Sequence, residues 1–235
     1  MPDQLLTVPR RSFVSRLSTA VAAVAASLAG TASAANASTR FQAPWAPQRH
    51  PQDDWFDQLP GKHRFFYDTV TPGGAGEAIT FATNYYVANR SGYNLSDADL
   101  AVVICLRHWS TPFAWTDAMW AKYGVPIAER IGFSDPLTAQ APRTNVYLSS
   151  QYGTRLPNRG TTLDAMIGRG VHFAVCDMAT RAYAGIIATK LGVQSEDVYQ
   201  DVKANSISNC HYVPAGIVAV ARAQERGYAL VQMQG

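Results

Sequence analysis

The chain has 235 residues, 47% of them hydrophobic and 16% charged, with a formal net charge of +3. That composition belongs to an ordinary globular protein and excludes collagenous, low-complexity and disulfide-framework chains. Arg10, Arg11 and Arg16 supply positive charge at the start, so the remainder is near neutral and offers no basic surface for nucleic acid.

The opening segment reads as an address rather than as structure. Arg10-Arg11-Ser12-Phe13-Val14 is followed by an apolar, alanine-rich run without acidic residues over 17–29. Ala32-Ser33-Ala34 then supplies the small-x-small pattern of a cleavage site. The whole resembles a twin-arginine signal, which implies that residues 1–34 are removed and that the protein is periplasmic or otherwise exported by the Tat pathway. The apolar run is shorter than the ~20 residues a permanent span needs, so no membrane span is expected after cleavage. In an oxidising compartment Cys105, Cys176 and Cys210 are an odd set, which leaves at least one thiol unpaired within the chain.

Residues 35–61 carry Pro44, Trp45, Pro51, Trp55, Phe56 and Pro60 without periodicity, and read as an irregular arm draped over the domain or a neighbouring subunit. Residues 62–70 form a strand. The glycine-rich stretch 71–76 reads as a βα loop, since no Gly-Lys-Ser/Thr follows and the dinucleotide spacing is absent; a helix is expected over 77–88. Leu100-Ala-Val-Val-Ile-Cys-Leu106 is the strongest strand in the chain. A helix is predicted over 113–122, then a partly irregular insertion around 123–158 punctuated by Gly124, Pro126, Gly132 and Pro136. A helix over 159–169, a strand over 171–175, a helix to about 191, a short helix over 198–202, a strand over 210–213, a helix over 217–226 and a closing strand over 228–232 complete the pattern. Strands alternating with helices predict a three-layer α/β/α sandwich with a mostly parallel, about five-stranded sheet.

Cys176 closes the strand over 171–175 just before a helix begins at Asp177. The carboxyl edge of a parallel sheet is where α/β proteins hold ligands, and a helix amino end favours thiolate over thiol. Arg107 and His108 follow the strongest strand and come to the same edge, so both are candidate helpers for a Cys176 thiolate, while the Asp177 carboxylate opposes it. Cys105, in mid-strand, reads as core. His108, Cys176 and His211 offer a metal set in principle, but no Cys-x-x-Cys, His-x-His or His-Glu-x-x-His spacing accompanies them, and neither a metal nor a cofactor is assigned. Trp109, Phe113, Trp115, Trp120 and Tyr123 read as core or subunit interface, with an aromatic binding pocket as the alternative.

The second half carries a resemblance. Arg169-Gly170-Val171-His172-Phe173-Ala174-Val175-Cys176 is similar to the strand-and-cysteine segment of the DsrE-like (YchN-like) family. Val213-Pro214-Ala215-Gly216-Ile217 and Gln224-Glu225-Arg226-Gly227-Tyr228 resemble that family's closing segment. The resemblance covers most of residues 62–232. It implies a domain over 62–235, a homo-oligomer, and a thiol-based sulfur carrier in which Cys176 corresponds to the sulfur-bearing cysteine. The partner would be a small sulfur-containing ligand or a thiol protein. Two departures, export and the Asp177 that follows the cysteine, speak against the family's tRNA-thiolation role. The reading from another class is a non-catalytic oligomeric protein of the cell envelope that binds a small ligand at the same edge.

Overall fold

The computed structural model describes residues 46–235. The signal segment, its cleavage site and the first part of the arm lie outside them. Pro47–Gly235 is one compact unit.

Five strands, β1 (His63–Thr69), β2 (Leu100–Leu106), β3 (His172–Cys176), β4 (Cys210–Val213) and β5 (Ala229–Met233), form a single sheet in the order β4-β3-β2-β1-β5. Every pairing is parallel. β2 takes the middle position and is buried at all of its residues. Its unbroken apolar run suits that place, because a central parallel strand is covered on both faces.

On the first face lie α2 (Pro72–Tyr93), α3 (Asp117–Ile131), α4 (Leu163–Gly168), α5 (Asp177–Leu191) and α6 (Ser195–Ala204), packed on Val102, Ile104, Phe173 and Val175. The second face presents Phe66, Val103, Cys105 and Ala174 to α7 (Gly216–Gln224) and to the short α1 (Trp55–Gln58). The molecule is thus a three-layer α/β/α sandwich with a thin second layer. The lead-in completes that layer: Phe56 is fully buried against Phe66 and Tyr228, with ring centroids at 6.2 and 5.6 Å. Tyr228 donates its hydroxyl to the Phe56 carbonyl at 2.7 Å.

The chain steps from β1 to β2, β3 and β4 along one direction of the sheet through helices on the first face. It then returns from β4 through α7, on the second face, to β5 at the opposite edge. Right-handed crossovers require that division, since reversing direction reverses the face on which the connection runs. At the carboxyl ends of β3 and β4 the chain departs to opposite faces, leaving a topological switch point between them.

Two local expectations give way to the structure. Residues 71–76 are no loop: α2 begins at Pro72, with Thr71 as N-cap accepting from the Gly74 amide at 2.9 Å. Proline is at home in a first helical turn, and the glycines serve close packing instead. A Cβ on Gly74 would lie 2.5 Å from the Met233 carbonyl oxygen, and one on Gly76 would lie 2.7 Å from the Tyr147 hydroxyl. The helix placed over 113–122 is displaced: a 3-10 stretch fills His108–Ala114, and α3 then continues through Gly124 and Pro126 to Ile131. Gly124 is required there because Pro142 comes against it, its carbonyl oxygen standing where a Cβ would. Further along the segment 123–158, Val146, Tyr147, Tyr152 and Leu156 are buried in the first-face core.

Candidate functional site

Period-2 alternation puts Asp68 of β1, Cys105 of β2 and Cys176 of β3 on the second face, near the carboxyl edge of the sheet. Arg107, one residue past β2, reaches back to Asp68 with two hydrogen bonds: Nε donates to Oδ1 at 2.6 Å and a terminal nitrogen to Oδ2 at 2.8 Å. The Asp68 side chain is 5% exposed and that of Arg107 20%. This is the fork-on-fork geometry that makes arginine–carboxylate pairs directional. The Asp68 hydrogen bonds, ahead of smaller contributions from the Cys105 and Cys176 sulfurs, raise the guanidinium's already high pKa. Gly216 at the start of α7 makes room for the arginine stem, since a Cβ there would lie 2.5 Å from the Arg107 Cβ. The Arg107 amide is held by Ser110 Oγ at 3.0 Å, which fixes the turn after β2.

Cys176 is the N-cap of α5. The Ala179 amide donates to its Sγ at 3.4 Å, and the residue retains 7% exposure. The other two thiols sit differently. Burial pushes Cys105 well above the usual thiol range, and it pushes Cys210 up to about 12. All three cysteines are free. Asp177, expected to oppose a neighbouring thiolate, has its charge taken up elsewhere. Oδ1 accepts from the Tyr199 hydroxyl at 2.6 Å and lies 3.5 Å from Lys203 Nζ, while Arg181 Nε donates to Oδ2 at 3.2 Å.

At the ends of β3 and β4, where Cys176 pairs with Val213, there is a crevice of about 320 Å³ that Asp177 and Val213 line but Cys176 does not. Asp177, Tyr199, Lys203, Tyr212, Pro214 and the arm's Gln52 line it. Its wall combines aromatic rings with the Asp177–Lys203 ion pair. Lys203 Nζ lies 4.9 Å from the Tyr199 ring centre and 4.7 Å from that of Tyr212.

Of the three side chains anticipated together, Cys176 and Arg107 share this edge, but Arg107 is committed to Asp68. His108 adopts a left-handed backbone (φ 56°), stacks on Trp109 at 4.6 Å and lines a separate hollow with Arg130 and Tyr183. The sequence reading missed Asp68, Tyr199 and Lys203. A carboxylate directly after the apolar Phe65-Phe66-Tyr67 run of β1 was the available signal for Asp68; nothing local marked α6 as a wall. Of the aromatic group, Phe113, Trp115, Trp120 and Tyr123 are core, whereas Trp109 is 39% exposed.

His172 and His211 meet on the second face, Nδ1 to Nε2 at 2.8 Å, and Trp55 of the arm stacks flat on His211 at 4.0 Å. Among the described residues no three His, Cys, Asp or Glu side chains converge as metal ligands. Burial lowers the pKa of both imidazoles, and together with the His172 charge it takes His211 from 6.5 to about 4. The unfolded chain therefore binds a proton near pH 6.5 that the folded chain refuses until about pH 4. The contribution is complete above pH 6.5 and is lost as pH falls toward 4. Discounted for the solvent that reaches the ring, we predict a loss of roughly 1–2 kcal/mol over that window. Urea titrations at successive pH values check this. His211→Gln flattens that part of the profile, and an unchanged slope in the variant refutes the assignment.

No family model matches the chain. Nor does any curated protein. Among solved structures the chain is similar to a protein of unknown function, MTH1491 from Methanobacterium thermoautotrophicum, at 10% identity over 73% of this chain and 99% of that one, with a TM-score of 0.36. Among the described residues, no helix is long and apolar enough to cross a membrane.

Proposed function

We propose that this is a DsrE-like, thiol-based sulfur-handling protein of the cell envelope, with Cys176 as the sulfur-bearing residue. The observation that carries the reading is the Ala179 amide donating to Cys176 Sγ at the amino end of α5, beside the switch-point crevice. Backbone donors and a helix amino end favour negative charge on sulfur, and a thiolate is the form that attacks sulfur. Burial holds Cys105 and Cys210 as thiols, which leaves Cys176 as the nucleophile.

In the proposed step the Cys176 thiolate attacks the terminal sulfur of a donor persulfide, R–S–SH. An S–S bond forms to Cys176, the donor's S–S bond breaks, and its electron pair leaves on R–S⁻. The proton stays on the transferred sulfur, so the products are a Cys176 persulfide and a donor thiolate, with no outside oxidant. The crevice lined by Tyr199, Lys203 and Tyr212 is where the donor's body would rest. Arg107 is then a positioning residue: held by Asp68, it lends its field to the edge without contacting sulfur. The test is mass spectrometry after exposure to a persulfide donor. Wild-type protein gains one sulfur atom at Cys176 and Cys176→Ser gains none; equal uptake by the variant overturns the proposal.

A further inference from the structure

His108 and Trp109, on the turn after β2, face a hollow of about 80 Å³ that the Cys176 chemistry does not use. Arg130 of α3 and Ala179, Tyr183 and Ile186 of α5 close it. Tyr183 is 4% exposed, yet its hydroxyl has no hydrogen-bond partner among the described residues. A buried, unanswered hydroxyl destabilises the fold, so a native one calls for a partner. The charge that acts on this hydroxyl is the Arg130 guanidinium, which lines the same hollow and whose side chain makes no ion pair among the described residues. Burial raises the Tyr183 pKa, so the group stays a donor. A phenol hydroxyl without a hydrogen-bond partner and a guanidinium without an ion-pair partner among the described residues thus line one hollow together with the His108 ring.

The hollow runs into a shallow trough of about 830 Å³ between α3 and α5, with Arg130, Ala182 and Ile186 common to both. Pro126, Ala182, Gly185 and Ile186 give its floor an apolar cast, and the Glu129–Lys190 ion pair bridges the two helices at 2.9 Å. Gly185 faces open space: an added Cβ would meet nothing within 4 Å.

We propose that the trough binds an organic anion, its oxyanion head in the His108–Arg130–Tyr183 hollow and its apolar body along Ala182, Gly185 and Ile186. The ligand class is a carboxylic acid with a short aliphatic tail. A head alone would lack the apolar contact, and a neutral amide of the same shape would leave the Arg130 guanidinium without a charge to meet.

The experiment titrates the full chain with octanoate, octanamide and acetate, reading intrinsic tryptophan fluorescence, to which Trp109 beside the hollow contributes, and calorimetric heat. Octanoate binds with one-to-one saturation; octanamide binds about tenfold or more weakly, because a hydrogen bond to a charged group is worth about that factor, and acetate binds at least as weakly, because it lacks the tail's buried methylenes. Tyr183→Phe, which removes only the unpartnered hydroxyl, weakens octanoate several-fold and leaves the fold intact by circular dichroism. Gly185→Leu fills the trough from a strain-free helical position and abolishes octanoate binding while sparing sulfur uptake at Cys176. Equal affinity for octanoate and octanamide overturns the proposal. So does octanoate binding that neither variant changes, or a Gly185→Leu effect that proves to be a change of oligomeric state.

Discussion

Arg107→Ala is expected to destabilise the folded chain by about 3–5 kcal/mol, the range for stranding one half of a buried ion pair. The reason lies in the asymmetry of the pair. The Asp68 side chain is only 5% exposed, so losing the guanidinium leaves a nearly buried carboxylate without its two charge-assisted hydrogen bonds. The reverse change, Asp68→Ala, costs less, because Arg107 is 20% exposed and its flexible stem can carry the charge outward. Replacing both, as Asp68→Leu with Arg107→Met, recovers most of the loss, since a buried pair replaced by well-packed apolar groups is often neutral. Urea denaturation of the three variants checks the order. A double variant as unstable as Arg107→Ala would mean that the stranded Asp68 charge does not set the cost.

Phe56→Ala is expected to cost about 3–5 kcal/mol as well, the usual penalty for truncating a fully buried phenylalanine. Phe56 has no exposed surface and stands among Trp55, Phe66 and Tyr228, with its carbonyl held by the Tyr228 hydroxyl and, at 3.3 Å, by Arg64. The loss extends beyond a cavity. With α7 as the one other α-helix of the second layer among the described residues, weakening the arm uncovers Phe66, Ala101, Val103 and Ala174. The variant should therefore bind a hydrophobic dye under native conditions as well as unfold at lower urea. A loss below about 1 kcal/mol, with no dye binding, would make the arm an ornament of the domain rather than part of its core.

Much of this architecture is legible in the sequence. The run over residues 100–106 has only one comfortable place, the middle of a parallel sheet, and that is where β2 sits. The strand into Cys176 and the helix from Asp177 are equally plain, because a β-branched apolar run gives way there to a helical period. What escaped were contacts set by distant chain. The glycines of residues 73–76 look like a loop until Met233 and Tyr147 are seen pressing on them, and α3 passes Gly124 and Pro126 because Pro142 leaves no room for a side chain at Gly124. In the site, strand order brings Arg107 and Cys176 to one edge as the alternation implies. Register alone does not reveal that Asp68 has taken the arginine, nor that the turn after β2 sends His108 into another hollow. The pairing of Asp177 with Tyr199, Arg181 and Lys203 was also out of reach, since it joins α5 to α6 across a packing that no local pattern encodes.

The central claim is that Cys176 is a working thiol in the folded protein rather than a packing residue. Its most direct test uses the Cys105→Ala, Cys210→Ala double variant, which leaves Cys176 as the sole cysteine. The folded variant is exposed to a persulfide donor at neutral pH, and its intact mass is read before and after a reductant. The account predicts the gain of one sulfur atom within the lifetime of the folded state, removed again by the reductant. A mass that changes only once the chain is unfolded would contradict it and leave the crevice beside Cys176 as a ligand site without thiol chemistry.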